Sequence, residues 1–107
     1  MDDENLEILL FVSPGCPHCP RAEYTAKKVV PEYSDYGVVL KKIRTKTREG
    51  RELSSQLNVM STPTMVFIRG DAVVDRIVGA PELSSLRKRI EKVLGLRKSF
   101  FGRMFGR

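Results

Sequence analysis

The two cysteines of the chain, Cys16 and Cys19, are separated by two residues in the segment Ser13–Pro20. This segment follows the apolar run Leu6–Val12, and a strand that ends in a Pro/Gly turn before a helix delivers such a pair to the helix N-terminus. Free backbone N–H groups and the positive dipole end there favour thiolate over thiol at the first sulfur. The second sulfur, one turn away, can attack a mixed disulfide on the first. The spacing therefore predicts a reversible disulfide.

A metal site is the weaker interpretation of the same residues. Cys16, His18 and Cys19 supply three donors within four residues, and no fourth donor other than a carboxylate is present elsewhere. His18 is also too close to Cys19 for relaxed chelation, so a zinc ion, or a metal or iron–sulfur site shared by two chains, fits poorly. In a reducing compartment, a Cys-x-x-Cys beside a βαβ pattern indicates redox activity. We expect no bound cofactor and a dependence on an external reductant or oxidant.

Length and composition indicate one globular domain. The chain has 107 residues, of which 41% are apolar and 30% are charged, enough for one core but not for two. It holds no apolar run as long as a membrane span. Its acidic start, Met1–Asn5, differs from the basic start of a signal peptide. We expect a cytoplasmic, monomeric protein.

Hydrophobic periodicity and turn residues predict the order strand, helix, strand, helix, hairpin, helix. The first three predicted elements are a strand over Leu6–Val12, a helix from Pro17 that Pro31 ends near Val30, and a strand over Val38–Arg44 after Gly37. The others are a helix over Glu49–Leu57, a hairpin of Met65–Arg69 and Ala72–Val78 joined by Gly70 and Asp71, and a helix from Pro81 to a C-cap at Gly95. A right-handed crossover makes the first two strands parallel, and the hairpin lies on the other side of the first strand. The expected fold is α/β, a four-stranded mixed sheet with helices on both faces.

The element order, the turn Cys16–Cys19 and the segment Ser61–Thr64 before the hairpin together resemble the thioredoxin superfamily. The likeness runs from about Leu6 to Leu94, and Gly79 resembles the glycine that the family carries after the second hairpin strand. The Cys-Pro-His-Cys-Pro run is similar to that of small prokaryotic thioredoxin/glutaredoxin-like proteins. The resemblance implies a thioredoxin-like fold and exchange of disulfides through a dithiol.

The resemblance also implies roles for individual residues. The expected catalytic residues are Cys16, Pro17, His18 and Cys19. Cys16 would be the exposed nucleophile and Cys19 the buried resolving thiol. Pro63 would follow a cis peptide bond and lie against the dithiol, because proline tolerates a cis bond best and carries no N–H to compete at the sulfur. The backbone of Thr62 would then pair with an extended substrate segment. The alternative is a trans Pro63 that only opens a strand.

The chain departs from the thioredoxin pattern near the dithiol. Leu10 stands where thioredoxins carry a buried aspartate, and the tryptophans that precede the motif in the family are missing. His18 matches the dipeptide of strongly oxidising bacterial disulfide donors. An imidazole beside the Cys16 sulfur can stabilise the thiolate by a hydrogen bond or a charge, which stabilises the reduced form. In the alternative interpretation, His18 points to solvent and has little effect on the stability of the Cys16 thiolate.

Two basic segments supply much of the net charge of +6. Residues 41–51 hold six cations and one acid. They either form a solvated face or attract anionic partners.

The second basic segment, residues 97–107, holds four cations and no acid. They belong to an expected tail, 96–107, that follows a thioredoxin-like domain over 1–95. The apolar residues of the tail are Phe100, Phe101, Met104 and Phe105. This composition suits an anionic membrane surface or an acidic groove, whereas a flexible tail or a strip folded onto the last helix are the alternatives.

The sequence therefore predicts an enzyme, a thiol–disulfide oxidoreductase that exchanges disulfides with protein substrates through Cys16 and Cys19 and works with a redox partner enzyme. A glutathione-dependent, glutaredoxin-like protein is one alternative, in which the basic residues 41–51 attract the carboxylates of glutathione. Another alternative is a thioredoxin-fold binding module whose basic tail binds a membrane or nucleic acid and whose disulfide only senses the redox state. We expect no specific nucleic-acid contact from the favoured interpretation.

Overall fold

The computed structural model describes residues 5–96, so the interpretation of the tail over 97–107 lies outside the described residues. The strands are β1 (Leu6–Val12), β2 (Val38–Arg44), β3 (Thr64–Arg69) and β4 (Ala72–Val78). The helices are α1 (Cys19–Val29), α2 (Arg48–Gln56) and α3 (Leu83–Leu94), and a 3₁₀ helix over Val30–Tyr36 directly follows α1. Between residues 5 and 96, no helix is both long and apolar enough to cross a membrane.

The four strands form one mixed sheet in the order β2-β1-β3-β4. β1 pairs with β2 in parallel, and the hairpin of β3 and β4 joins the other side of β1 in antiparallel fashion, as predicted. Phe11 near the end of β1 pairs with Thr64 at the start of β3. Because Cys16 follows β1 and Pro63 precedes β3, the sheet brings both segments to the same end of the molecule.

Helices cover both faces of the sheet, and β1 lies between two apolar layers. Leu6, Ile8, Leu10 and Val12 pack with buried residues of α1 and α3 on one face. Leu9 and Phe11 pack on the opposite face, where α2 contributes Leu53. Successive side chains of a strand point to opposite faces, so a nearly continuous apolar run satisfies both layers. The strand that leads to Cys16 is therefore held on both sides.

Two helices begin later than the sequence predicted. α1 begins at Cys19 instead of Pro17, because the preceding residues form a turn in which the Cys19 N–H donates to the Cys16 carbonyl at 3.3 Å. α3 begins at Leu83 instead of Pro81, because the extended backbone of Glu82 (φ −71°, ψ 160°) forms the N-cap. The predicted ends are confirmed: α1 ends at Val29, and α3 is followed by a left-handed C-cap glycine.

The start of α2 is held against the end of β2. Thr47 is the N-cap, and its hydroxyl accepts a hydrogen bond from the Gly50 N–H at 2.9 Å. The backbone of Gly50 is so close to β2 that a Cβ on it would overlap the Arg44 carbonyl oxygen. Only glycine permits this approach, which sets α2 beside the end of the sheet that carries the cysteines.

Candidate dithiol site

Cys16 and Cys19 form a disulfide, and their Cα atoms lie 5.4 Å apart. Cys16 lies in the turn before α1 and is partly buried, whereas Cys19 is the first residue of α1 and is only 6% exposed. The two sulfurs of one bond therefore belong to residues of unequal access. Cys19 belongs to the apolar core cluster, and Cys16 is packed against the edge of that cluster.

Pro17 and His18, the residues between the cysteines, are both exposed. His18 is the N-cap residue of α1, and its carbonyl accepts the Ala22 N–H at 3.1 Å. In the part of the chain that the structure describes, its imidazole makes no capping hydrogen bond to the helix. The ring is therefore not engaged in holding the helix, and it stands in the sequence directly beside the buried cysteine.

The peptide bond between Thr62 and Pro63 is cis, as expected. Pro63 is buried and Thr62 is partly buried. The Pro63 carbonyl accepts a hydrogen bond from the N–H of Gly79 at 2.8 Å, which ties the residue after β4 to this loop. The Thr64 hydroxyl donates to the Ser61 carbonyl at 2.8 Å. These two hydrogen bonds fix the segment 61–63, here called the proline loop, on both of its sides.

A hydrogen bond joins the proline loop to the segment 13–18 between β1 and α1, here called the cysteine loop. The hydroxyl oxygens of Ser13 and Thr62 lie 2.7 Å apart, although the residues are separated by 49 positions in the sequence. Sequence reasoning missed this contact, because two hydroxyl residues in separate loops carry no periodicity or spacing signal. The contact sets Thr62 beside the segment that leads into the dithiol.

The core beneath the dithiol is apolar. Leu10 is fully buried and belongs to the same cluster as Cys19, with Cys16 packed against the edge of that cluster. At this position the chain therefore offers a hydrocarbon side chain and no carboxylate that could receive a proton. Within residues 5–96, no three His, Cys, Asp or Glu side chains come together as a metal-binding group.

The basic segment 41–51 is only partly neutralised by ion pairs. Lys41 pairs with Glu49 at 3.1 Å, and Lys42 pairs with Glu23 at 2.9 Å. Hydrogen bonds from Lys27 and Lys42 lower the pKa of Glu23. Among the described residues, the other cations of the segment form no ion pair; they are Arg44, Lys46, Arg48 and Arg51.

A Cys-x-x-Cys disulfide at the start of a helix, beside a cis-proline loop on the same end of a mixed sheet, defines a dithiol–disulfide exchange protein. The thioredoxin family model matches residues 1–92. A thioredoxin of Methanocaldococcus jannaschii is 35% identical over 89 residues, which is 83% of this chain and 96% of the relative. A probable thioredoxin of Archaeoglobus fulgidus is 34% identical over 86 residues, 80% of this chain and 87% of the relative.

The structural comparison agrees with the sequence comparison. The germline-specific thioredoxin Deadhead of Drosophila melanogaster superposes with a TM-score of 0.74 at 30% identity, over 86% of this chain and 84% of the other. The chain belongs to the thioredoxin family. It is a dithiol–disulfide oxidoreductase whose cysteine pair is Cys16 and Cys19. Both conclusions confirm the interpretation of the sequence.

Proposed function

We propose that this oxidoreductase attacks protein disulfides with Cys16 and uses Cys19 as the resolving thiol. The observation that supports this order is the difference in access within the pair, because Cys16 is partly exposed in a turn and Cys19 is 6% exposed in the core. A bulky protein disulfide can reach the first sulfur, whereas the second is reached from within the protein. Cys16 also precedes α1, whose N-terminal N–H groups and dipole favour a thiolate.

The exchange proceeds in two steps from the reduced protein. The Cys16 thiolate attacks one substrate sulfur, so that a mixed disulfide forms, the substrate disulfide breaks and one substrate thiolate leaves. Cys19, as a thiolate, then attacks the Cys16 sulfur, which forms the Cys16–Cys19 disulfide and releases the second substrate thiolate. Two electrons pass from the protein to the substrate. An external reductant, supplied by a partner enzyme, returns the protein to the dithiol form.

Thr62 and Pro63 complete the proposed substrate site. The hydrogen bond between Ser13 and Thr62 holds the proline loop next to the cysteine loop, and Thr62 is partly exposed there. The Thr62 backbone can therefore pair with an extended segment of the substrate as an added strand. Pro63 has no N–H, so it provides no donor that would compete at the sulfur of the dithiol. We assign to His18 the role of adjusting the stability of the Cys16 thiolate. We also propose that the protein acts in the cytoplasm.

The order of attack is tested by replacing one cysteine at a time. The Cys19→Ser variant should accumulate a mixed disulfide with a peptide disulfide, because its first step is intact and its second is blocked. The Cys16→Ser variant should not react. Mass spectrometry of the acid-quenched reaction identifies the adduct, and the oxygen isostere keeps the packing of each site. If the Cys16→Ser variant forms the adduct and Cys19→Ser does not, the assignment is wrong.

A further inference from the structure

A cavity of about 370 Å³ lies between α2 and the loop that precedes β3. Its lining includes Ser13, Thr45, Arg51, Ser54, Met60 and Thr62. Ser13 and Thr62 are the residues that join the cysteine loop to the proline loop. The cavity therefore shares a wall with the backbone that we assign to substrate binding. The lining carries five hydroxyl groups and one guanidinium beside two apolar side chains, so the cavity offers hydrogen-bonding groups to a polar side chain.

The guanidinium of Arg51 is oriented but not neutralised. Its Nη1 donates to the Lys46 carbonyl at 2.6 Å, which fixes the side chain at the start of α2. Within residues 5–96, Arg51 forms no ion pair. A guanidinium carries five N–H donors in a planar fork that matches a carboxylate. Donors that Lys46 does not use are therefore left for an anion in the cavity.

Ser54 provides a second, independent sign of a missing partner. Its hydroxyl oxygen is buried and has no hydrogen-bond partner among the described residues. Nearly all buried polar groups in folded proteins are hydrogen-bonded, so a buried hydroxyl without a partner requires an explanation. A serine hydroxyl reorients by rotation about a single side-chain bond. A ligand oxygen in the adjoining cavity can supply the bond that Ser54 lacks.

We propose that this cavity selects substrates by binding a carboxylate side chain, so that the protein prefers protein disulfides with an Asp or Glu close to the attacked half-cystine. The inference rests on the proposed pairing of an extended substrate with Thr62. Side chains of an extended segment alternate in direction, so one neighbour of the half-cystine is directed to the side on which the cavity lies. A lysine there is repelled by Arg51. An apolar residue leaves the Ser54 hydroxyl without a hydrogen-bond partner and the Arg51 guanidinium without an anion.

The test compares symmetric peptide dimers, each joined by one disulfide, that carry Asp or Asn at position −2, −1, +1 or +2 from the cysteine. Reduced protein is mixed with each dimer at low ionic strength, and the second-order rate constant is measured after acid quench. The wild type should reduce an Asp dimer about five-fold faster than its Asn counterpart at one of the positions, the size expected for a partly exposed ion pair. Arg51→Gln should abolish the preference, so that the ratio of the Asp rate to the Asn rate falls to about one.

Two further variants serve as controls. Arg51→Lys should keep most of the preference, and Arg48→Gln, which removes an exposed cation of α2 outside the cavity lining, should keep all of it. The proposal is overturned if the wild type shows no preference, if all four positions show the same preference, or if Arg48→Gln has the same effect as Arg51→Gln. Failure of the wild type to reduce any dimer, Asp or Asn, would instead overturn the proposed function.

Discussion

Replacement of His18 by Tyr should make the dithiol a stronger reductant. In the proposed role of His18, its imidazole stabilises the Cys16 thiolate of the reduced protein by a hydrogen bond or a positive charge. The phenol of tyrosine supplies no positive charge, so the reduced form loses stability relative to the oxidised form. The reduction potential of the Cys16–Cys19 pair should therefore become more negative.

The exposure of the residues limits the size of this effect. A buried hydrogen bond to a charged group contributes about 1.5–3 kcal/mol, whereas an exposed ion pair contributes about 0.2–1 kcal/mol. His18 is exposed and Cys16 is only partly buried, so we take a value of about 1 kcal/mol, near the upper end of the exposed range. Because about 1.4 kcal/mol corresponds to ~30 mV for a two-electron couple, the expected shift is about −20 mV. The stability of the reduced form should fall by about 1 kcal/mol relative to that of the oxidised form.

The potential is measured by equilibration with a graded dithiothreitol series, followed by alkylation and mass spectrometry of the two redox forms. Lys28→Gln is the matched control, because Lys28 is an exposed cation farther along α1. An unchanged potential in His18→Tyr, or a shift toward a stronger oxidant, would refute the assignment. An equal shift in Lys28→Gln would show that overall charge, and not the position of the imidazole, sets the potential.

Two other predictions concern stability. In a double-mutant cycle of Ser13→Ala and Thr62→Val, urea unfolding should give a coupling of about 1 kcal/mol, and zero coupling would mean that this hydrogen bond does not hold the two loops together. Burial and the hydrogen bond to Glu91 raise the pKa of Tyr33 above its ordinary value of 10.0. As the pH rises, the tyrosine therefore ionises first in the unfolded chain. The contribution of Tyr33 to the free energy of unfolding is complete below pH 10 and is lost as the pH rises further. Tyr33→Phe should show a smaller fall in unfolding free energy between pH 9 and about 11.

Most of the fold could be predicted because local signals and tertiary packing agree. The apolar run Leu6–Val12 is buried on both faces, and Gly95 is the C-cap of the last helix. The sequence predicts starts of α1 and α3 that are two residues too early, because a proline marks only the region of a helix start. The backbone hydrogen bonds of the preceding turn decide the first helical residue. The sequence also does not predict the shift of register in the hairpin, where Phe67 pairs with Asp75 and Ile68 pairs with Val73.

The site was predictable where the chemistry belongs to the residue type itself. Two cysteines at this spacing, and a proline before a strand, indicate their chemistry from identity and position alone. The cavity beside Thr62 is different, because it exists only where α2 approaches the proline loop. Arg51 was visible as one of six cations in the segment 41–51, but its distinction from the others lies in a hydrogen bond and a neighbouring hydroxyl that only the folded chain shows.

The departure at Leu10 bears on the second step of the exchange. Cys19 is 6% exposed and Leu10 is fully buried in the same apolar cluster, and such surroundings disfavour a charged sulfur. Leu10 cannot accept the proton of Cys19, so that proton has to pass to another group, such as water or the substrate. The substrate thiolate that leaves in the first step suits this purpose, because it is generated at the site and, like Cys19, is a thiol when protonated. We therefore expect the chemistry of the leaving substrate thiolate to affect how quickly Cys19 resolves the mixed disulfide.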